Sequence, residues 1–268
     1  MSNPRIAARF AALKAANRLG LVTFITAGDP NYETCQEILL GLPAMGADII
    51  ELGMPFSDPI ADGPAIQAAS LRALSSGMNV ARTLELVAEL RTQNKTTPVV
   101  LMGYYNPIYR YGVQPFARDA AAAGVDGVIV VDLPPEEDAE CREPLASVAI
   151  DFIRLVTPTT TPQRLQTIAA HASGFLYYVT LTGVTGTQDM AVDDTREALQ
   201  RLRSQVKLPV AAGFGIKSAQ QIAALQGAAD AVVVGSAIVR EIEKTLNTPK
   251  ETANATLQFV KHLAGGLV

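Results

Sequence analysis

Short, nearly continuous apolar runs recur along the chain, and between them apolar residues fall at helical spacing. The runs occupy residues 21–26, 48–52, 99–102, 127–131, 152–156, 176–180, 209–212 and 231–234. They are rich in Val, Ile and Leu and lack the alternation of a half-exposed strand. That pattern belongs to parallel strands buried on both faces. The intervening segments, such as 162–172, 193–203 and 218–225, are rich in Ala, Leu and Gln with a period near that of a helix. Eight strand–helix units in 268 residues predict an α/β fold, a single (β/α)8 TIM barrel forming one domain over residues 1–268. Residues 64–94 are long enough for two helices, so an additional helix is expected after the second strand. A doubly wound open sheet is the structural alternative. It would show fewer strands and a glycine-rich turn after the first, whereas here that strand runs into Ala27-Gly28-Asp29-Pro30, which is not G-x-G-x-x-G.

The first twenty residues read in two ways. Arg5, Arg9, Lys14 and Arg18 without any acid resemble a transit peptide. Ile6, Phe10, Leu13 and residues 16–19 also make one apolar face at helical spacing, ending at Gly20. The periodicity predicts a helix within residues 1–20 that caps the bottom of the barrel.

Composition narrows the partners. Apolar residues make up 49% of the chain, enough for a sizeable core. A net charge of -4 argues against a nucleic-acid or anionic-membrane surface, and no apolar run approaches the length that spans a bilayer. Cys35 and Cys141 lie far apart and match no metal or redox spacing, which points to a reducing, cytoplasmic setting. His171 and His262 both fall in helix-like segments, so no metal site is expected.

The chemistry begins in the second strand. Glu51 stands within an apolar run, and ionising a buried, unpaired carboxyl group costs several kcal/mol. Asp58 and Asp62 follow in a loop held by three prolines and a glycine. Three acids at one strand end favour a catalytic site over a structural ion pair. Three late loops suit an anion: residues 183–187, 213–215 and 235–237, each following a late strand and each containing glycine. Glycines let backbone N–H groups approach an anion, and a helix start adds free donors. Barrels often bind phosphate with the loops after strands seven and eight. Residues 183–190, with two glycines among them, also suit a lid that excludes water on closing.

The run Glu51-Leu52-Gly53-Met54-Pro55-Phe56-Ser57-Asp58-Pro59-Ile60-Ala61-Asp62-Gly63-Pro64 resembles the signature of the tryptophan synthase α chain family. The likeness extends over nearly the whole length through residues 24–30, 102–107, 130–135, 183–186, 213–215 and 235–236, in the family's order and spacing. The resemblance implies a lyase that cleaves indole-3-glycerol phosphate to indole and glyceraldehyde 3-phosphate. It implies Glu51 as the acid/base and Asp62 as the carboxylate that stabilises the indole N–H. Tyr177 and Thr185 would support them. Gly186, Gly215, Gly235 and Ser236 would bind the phosphate, and Phe24, Tyr104, Ile129 and Phe214 would line the indole slot. It further implies no cofactor in this chain and a partner β chain that holds pyridoxal phosphate, in a tetramer of two α and two β chains. The contact surface would comprise residues 55–62, 106–107 and 134–135, with Asp58 in an interface ion pair. Two departures stand out: Leu181 where many members carry Arg or another polar residue, and Met102 where Leu is frequent. Two other readings fit parts of the chain. A sugar-phosphate isomerase barrel with Glu51 as base would leave Asp62 and the aromatic slot unexplained. A non-catalytic activator of a β chain would not need both Glu51 and Asp62.

Overall fold

The computed structural model describes residues 3–179, 192–213 and 215–267, with residues 192–194 and 249 described by backbone alone. Eight parallel strands close into a barrel in chain order: β1 (Gly20–Thr26), β2 (Ile49–Gly53), β3 (Val99–Gly103), β4 (Gly127–Val130), β5 (Asp151–Val156), β6 (Leu176–Val179), β7 (Val210–Gly213) and β8 (Ala231–Val234). β8 pairs back onto β1 through Gly20 opposite Ala231. The (β/α)8 expectation holds, and each strand lies within two residues of its predicted bounds.

Helices cover the outside. In chain order they are α1 (Pro4–Ala15), α2 (Tyr32–Gly41), α3 (Pro64–Ser75), α4 (Val80–Gln93), α5 (Tyr105–Tyr111), α6 (Val113–Ala123), α7 (Ala139–Ser147), α8 (Pro162–Ala170), α9 (Val192–Gln205), α10 (Ala219–Ala223), α11 (Ser236–Lys244) and α12 (Pro249–Ala264). The stretch after β2 holds two helices, as its length predicts. Asn31, Asn79, Thr161 and Ser218 each accept a backbone N–H at the start of the helix they precede, which fixes where those helices begin.

Alternation along the strands sorts the core into two shells. Leu21, Ile25, Ile50, Leu52, Val99 and Leu101 point outward and pack under the helices. Val22, Ile49, Val100, Ile129, Ile153 and Ala211 point inward and fill the barrel. The predicted N-terminal helix closes the lower end of that inner shell. Ile6, Phe10 and Leu13 of α1 are buried against the inward residues, and the Phe10 ring lies 5.6 Å from that of Phe175.

A repeated polar bond ties the strand starts together at the same end. Asp48, just before β2, accepts the Leu21 N–H of β1 at 2.9 Å. Asp126 before β4 accepts the Val99 N–H of β3, and Asp230 before β8 accepts the Val210 N–H of β7, each at 2.8 Å. Before β6 a hydroxyl takes the place of the carboxylate: Ser173 Oγ accepts the Phe152 N–H at 2.8 Å. Each pair of strands therefore closes its lower edge in the same way.

Candidate active site

β2 carries Glu51 into the barrel because Ile49 and Glu51 share the inward face while Ile50 and Leu52 face the helices. In register, Glu51 lies beside Phe24 of β1 and Val100 of β3. Glu51 is only 1% exposed. No Lys, Arg or His among the described residues pairs with it, and its Oε2 has no hydrogen-bond partner. Burial, reinforced by the negative charge of Asp62, pushes its pKa up to about 8. At neutral pH the group is a neutral acid.

The loop after β2 places Asp62 at the same strand end. Gly63 and Pro64 turn the chain into α3, and the Gln67 side chain donates to the Asp62 carbonyl at 2.9 Å. The carboxylate is held from the other side by β3. The Tyr104 hydroxyl donates to Asp62 Oδ2 at 3.1 Å while accepting the Ala61 N–H at 2.9 Å. One phenol thus fixes two consecutive residues of the loop. Burial raises the Asp62 pKa to about 6, and the Tyr104 hydrogen bond works against that rise. Around Asp62 and Tyr104 the side chains of Phe24, Met54, Phe56, Ile66, Met102 and Val131 line a narrow cleft. The rings of Phe56 and Tyr104 sit 5.3 Å apart at 35°, an offset pair on one wall.

Tyr177 projects inward from β6. Burial first, and then the charges of Glu51 and Asp62, hold its hydroxyl well above the ordinary phenol range. The three acidic groups therefore lie within reach of one another's charge. Gly213 on β7 makes room for this side chain, since a Cβ there would stand 2.5 Å from the Tyr177 hydroxyl. On the far side, Gly215 takes a φ of +74°, with open space where a Cβ would point. Gly235 caps α11, which opens at Ser236 with no side chain on its first N–H groups. A helix start left free in this way offers donors to an anion.

Of the residues singled out from the sequence, Phe24, Asp62 and Tyr104 line the cleft, and Glu51 and Tyr177 lie inside the barrel within reach of the Asp62 charge. Gly215, Gly235 and Ser236 follow the neighbouring strands β7 and β8. Ile129 is fully buried in the inner shell, and Val131, two residues further along the same face, lines the cleft. Thr185, Gly186 and Phe214, and with them Leu181, lie outside the described residues. Sequence reasoning missed Phe56, Ile66 and Val131. Alternation from Ile129 points to Val131, and Phe56 lies inside the signature itself. Among the described residues no group of three or more His, Cys, Asp or Glu side chains is arranged to hold a metal. Cys35 and Cys141 are free and buried, and burial pushes both thiols up to about 12, so neither is a nucleophile at neutral pH.

Comparison with known proteins decides the family. The family model described as tryptophan synthase alpha chain matches residues 10–267. The chain belongs to the tryptophan synthase alpha chain family. Its solved relatives agree. The tryptophan synthase alpha subunit of Legionella pneumophila str. Paris is 38% identical, with 99% of this chain and 98% of that chain covered and a TM-score of 0.92. A chain of Mycobacterium tuberculosis tryptophan synthase, in a structure of the aminoacrylate-bound form, is 33% identical over all of both chains with a TM-score of 0.87. A chain from Aquifex aeolicus VF5 is 36% identical, with 100% of this chain and 99% of that one covered and a TM-score of 0.88. As a tryptophan synthase alpha chain, this protein is an enzyme subunit of tryptophan biosynthesis. Among the described residues no helix is long and apolar enough to cross a membrane.

Proposed function

We propose that this alpha chain is a lyase that performs the retro-aldol cleavage of indole-3-glycerol phosphate to indole and glyceraldehyde 3-phosphate. The observation that carries the reading is a buried carboxyl group, Glu51, that no cation among the described residues neutralises and that lies close enough to a second carboxylate, Asp62, to feel its charge. The reaction moves one proton from a glycerol hydroxyl to C3 of the indole, breaks the bond from C3 to the glycerol chain and forms the aldehyde C=O. Glu51, protonated below about pH 8, gives its proton to C3. Positive charge then develops on the ring nitrogen. Asp62, ionised above about pH 6, accepts the ring N–H and stabilises that charge. Tyr104 engages Asp62 Oδ2 and leaves Oδ1 for the ring. As the C–C bond breaks, the Glu51 carboxylate takes the hydroxyl proton and is restored as an acid. Two neighbouring carboxyl groups thus take opposite roles because their surroundings hold them in opposite protonation states.

The substrate would lie with its flat ring between Phe24 and Tyr104, with Phe214 and Ile129 completing the slot, and its phosphate on the backbone of Gly186, Gly215, Gly235 and Ser236. Tyr177 and Thr185 would support the closed site. These steps require no cofactor in this chain. Free indole would pass to a β chain holding pyridoxal phosphate, in a tetramer of two α and two β chains in the cytoplasm. Ile60, 86% exposed beside Asp58, offers an apolar contact on the loop expected to meet that chain.

The test is direct. The purified chain is incubated with indole-3-glycerol phosphate and indole is quantified with and without a cognate β chain, with Glu51→Gln as control. Indole release that rises with the β chain and disappears in the variant supports the reading. Ligand binding without release under either condition overturns it in favour of a non-catalytic activator.

A further inference from the structure

Two helices begin at the two ends of the proposed site. α3 starts at Gly63, directly after Asp62, and α11 starts at Gly235. They pack against each other and against β1. Midway along, the contact is small and apolar. Ala69 of α3 and Val239 of α11, both fully buried, close on Phe24, with Ala65 and Ile66 alongside. Apolar contact is non-directional, so it holds the helices together without fixing the angle between them.

Direction is supplied at the far end of α3. Asp29, in the loop after β1, is fully buried and takes the Arg72 guanidinium in a two-point fork. Nε donates to Oδ1 at 2.6 Å and Nη2 to Oδ2 at 2.9 Å. The same loop is seated on the end of α3 in two further ways. Ser76 Oγ donates to the Gly28 carbonyl at 3.3 Å. Gly28, at a φ of +78°, lies so close to Met78 that a Cβ would stand 1.9 Å from its Cγ. The charge of Glu243, on α11, reaches both Asp29 and Arg72, which brings the third element into the same cluster.

A buried ion pair adds little net stability, because desolvation offsets the attraction. A planar guanidinium on a carboxylate does fix orientation, since both bonds form in one geometry only. α3 has 12 residues, a rod of about 18 Å. A tilt permitted at Arg72 would therefore move Asp62 relative to the start of α11.

We propose that Arg72 is a positioning residue: held by Asp29, it locks the angle of α3 against α11 and so sets the distance between Asp62, which meets the indole, and the start of α11, which meets the phosphate. The inference rests on the lyase reading for the identity of the ligand that bridges the two.

A lock of this kind matters only to a ligand that spans both places. Indole-3-propanol phosphate carries the ring and the phosphate of the substrate without the glycerol hydroxyls, so it binds without reacting. Indole and propyl phosphate are its two halves. The three molecules are titrated into the full chain, into Asp29→Asn/Arg72→Met, which leaves neither charge of the pair buried alone, and into Arg72→Lys, each shown to be folded by cooperative urea unfolding. The double variant should bind the bridging molecule about tenfold or more weakly, and each half within about twofold of the parent. Arg72→Lys, which keeps the charge but not the fork, should fall between the two. Unchanged affinity for the bridging molecule in the folded variants overturns the lock and leaves the lyase reading standing. An equal loss for all three molecules also overturns it, as the mark of a site damaged as a whole. A parent chain that does not bind the bridging molecule overturns the lyase reading and the lock with it.

Discussion

The two ends of the barrel use acidic residues in opposite ways. At the lower end Asp48, Asp126 and Asp230 each accept a strand N–H and each meet a guanidinium. Arg18 lies 2.6 Å from Asp48, Arg203 lies 2.8 Å from Asp230, and Asp126 holds Arg5 at 2.7 Å and Arg91 at 2.6 Å. These carboxylates are spent on ion pairs and strand N–H groups that fasten the scaffold. At the upper end Glu51 is buried and Asp62 half-buried, yet the described residues give them no cation at all. Their burial favours the neutral acid, and each pKa rises. Burial of an acid is thus not one signal but two. With Arg and backbone partners it fastens strands, and without them it stores a proton where chemistry can use it.

Exchange at one end should leave the property of the other end untouched. Glu51→Gln removes the proton carrier but keeps the shape, so indole production should fall by about 10³-fold or more. Its stability should rise rather than fall. Below about pH 4.5 the glutamic acid is protonated in both folded and unfolded chains. Between there and its folded pKa of about 8, only the folded chain keeps the proton, so stability declines as pH rises through that window and levels off above it. Gln at position 51 does not titrate, so the variant's advantage in urea unfolding should grow from pH 5 to pH 8 and reach about 3 kcal/mol at pH 7. A variant less stable than the parent at pH 8 would mean that Glu51 has a cationic partner after all.

Asp126→Asn is the reciprocal exchange. It leaves Arg5 and Arg91 facing an amide at a fully buried position. Breaking such a pair costs about 3 kcal/mol. The urea midpoint should drop accordingly, while indole formed per folded molecule stays within about twofold of the parent, since nothing at the lower end touches the cleft. Loss of turnover in a fully folded Asp126→Asn preparation would show that the two ends are coupled.

The pH dependence of kcat/KM sharpens the same contrast. The rate should climb as Asp62 ionises near about pH 6 and fall as Glu51 loses its proton near about pH 8. Asp62→Asn should lower turnover by about 10²-fold and remove the acidic limb while leaving the basic one in place.

How much of this was legible in the sequence follows from what each feature depends on. Strands buried on both faces are near-continuous apolar runs, so all eight emerged within two residues, and Glu51 stood out because a carboxyl group interrupts one of them. The Asp62–Tyr104 bond was not legible, because it joins loops 42 residues apart and exists only once β2 and β3 lie side by side. That Val131 also lines the cleft was not legible, because it depends on how far up β4 the mouth of the barrel sits, which closure and not local sequence decides. The lower-end acids carried a signal that went unread. Asp48, Asp126 and Asp230 each directly precede a strand, in the sequences Ala47-Asp48-Ile49, Val125-Asp126-Gly127 and Ala229-Asp230-Ala231. An acid repeated at strand starts belongs to the scaffold, whereas an acid inside one strand belongs to the site.

The smallest effect tests how the upper end keeps Asp62 usable. Tyr104 supplies a side-chain hydrogen bond that works against the rise of the Asp62 pKa, and its hydroxyl also receives the Ala61 N–H. Tyr104→Phe keeps the ring against Phe56 but removes both bonds. Without the donor, the ionised form of Asp62 loses support, so its pKa should move upward from about 6 and the acidic limb of the rate profile should move with it. Turnover at pH 8, where Asp62 is ionised in either protein, should change only a few-fold, and stability should drop by about 1 kcal/mol. A limb that stays in place while turnover falls at every pH would mean that Tyr104 acts on the substrate ring alone. A shifted limb would mean that Asp62, with no cation beside it among the described residues, relies on one phenol to stay in the charged state.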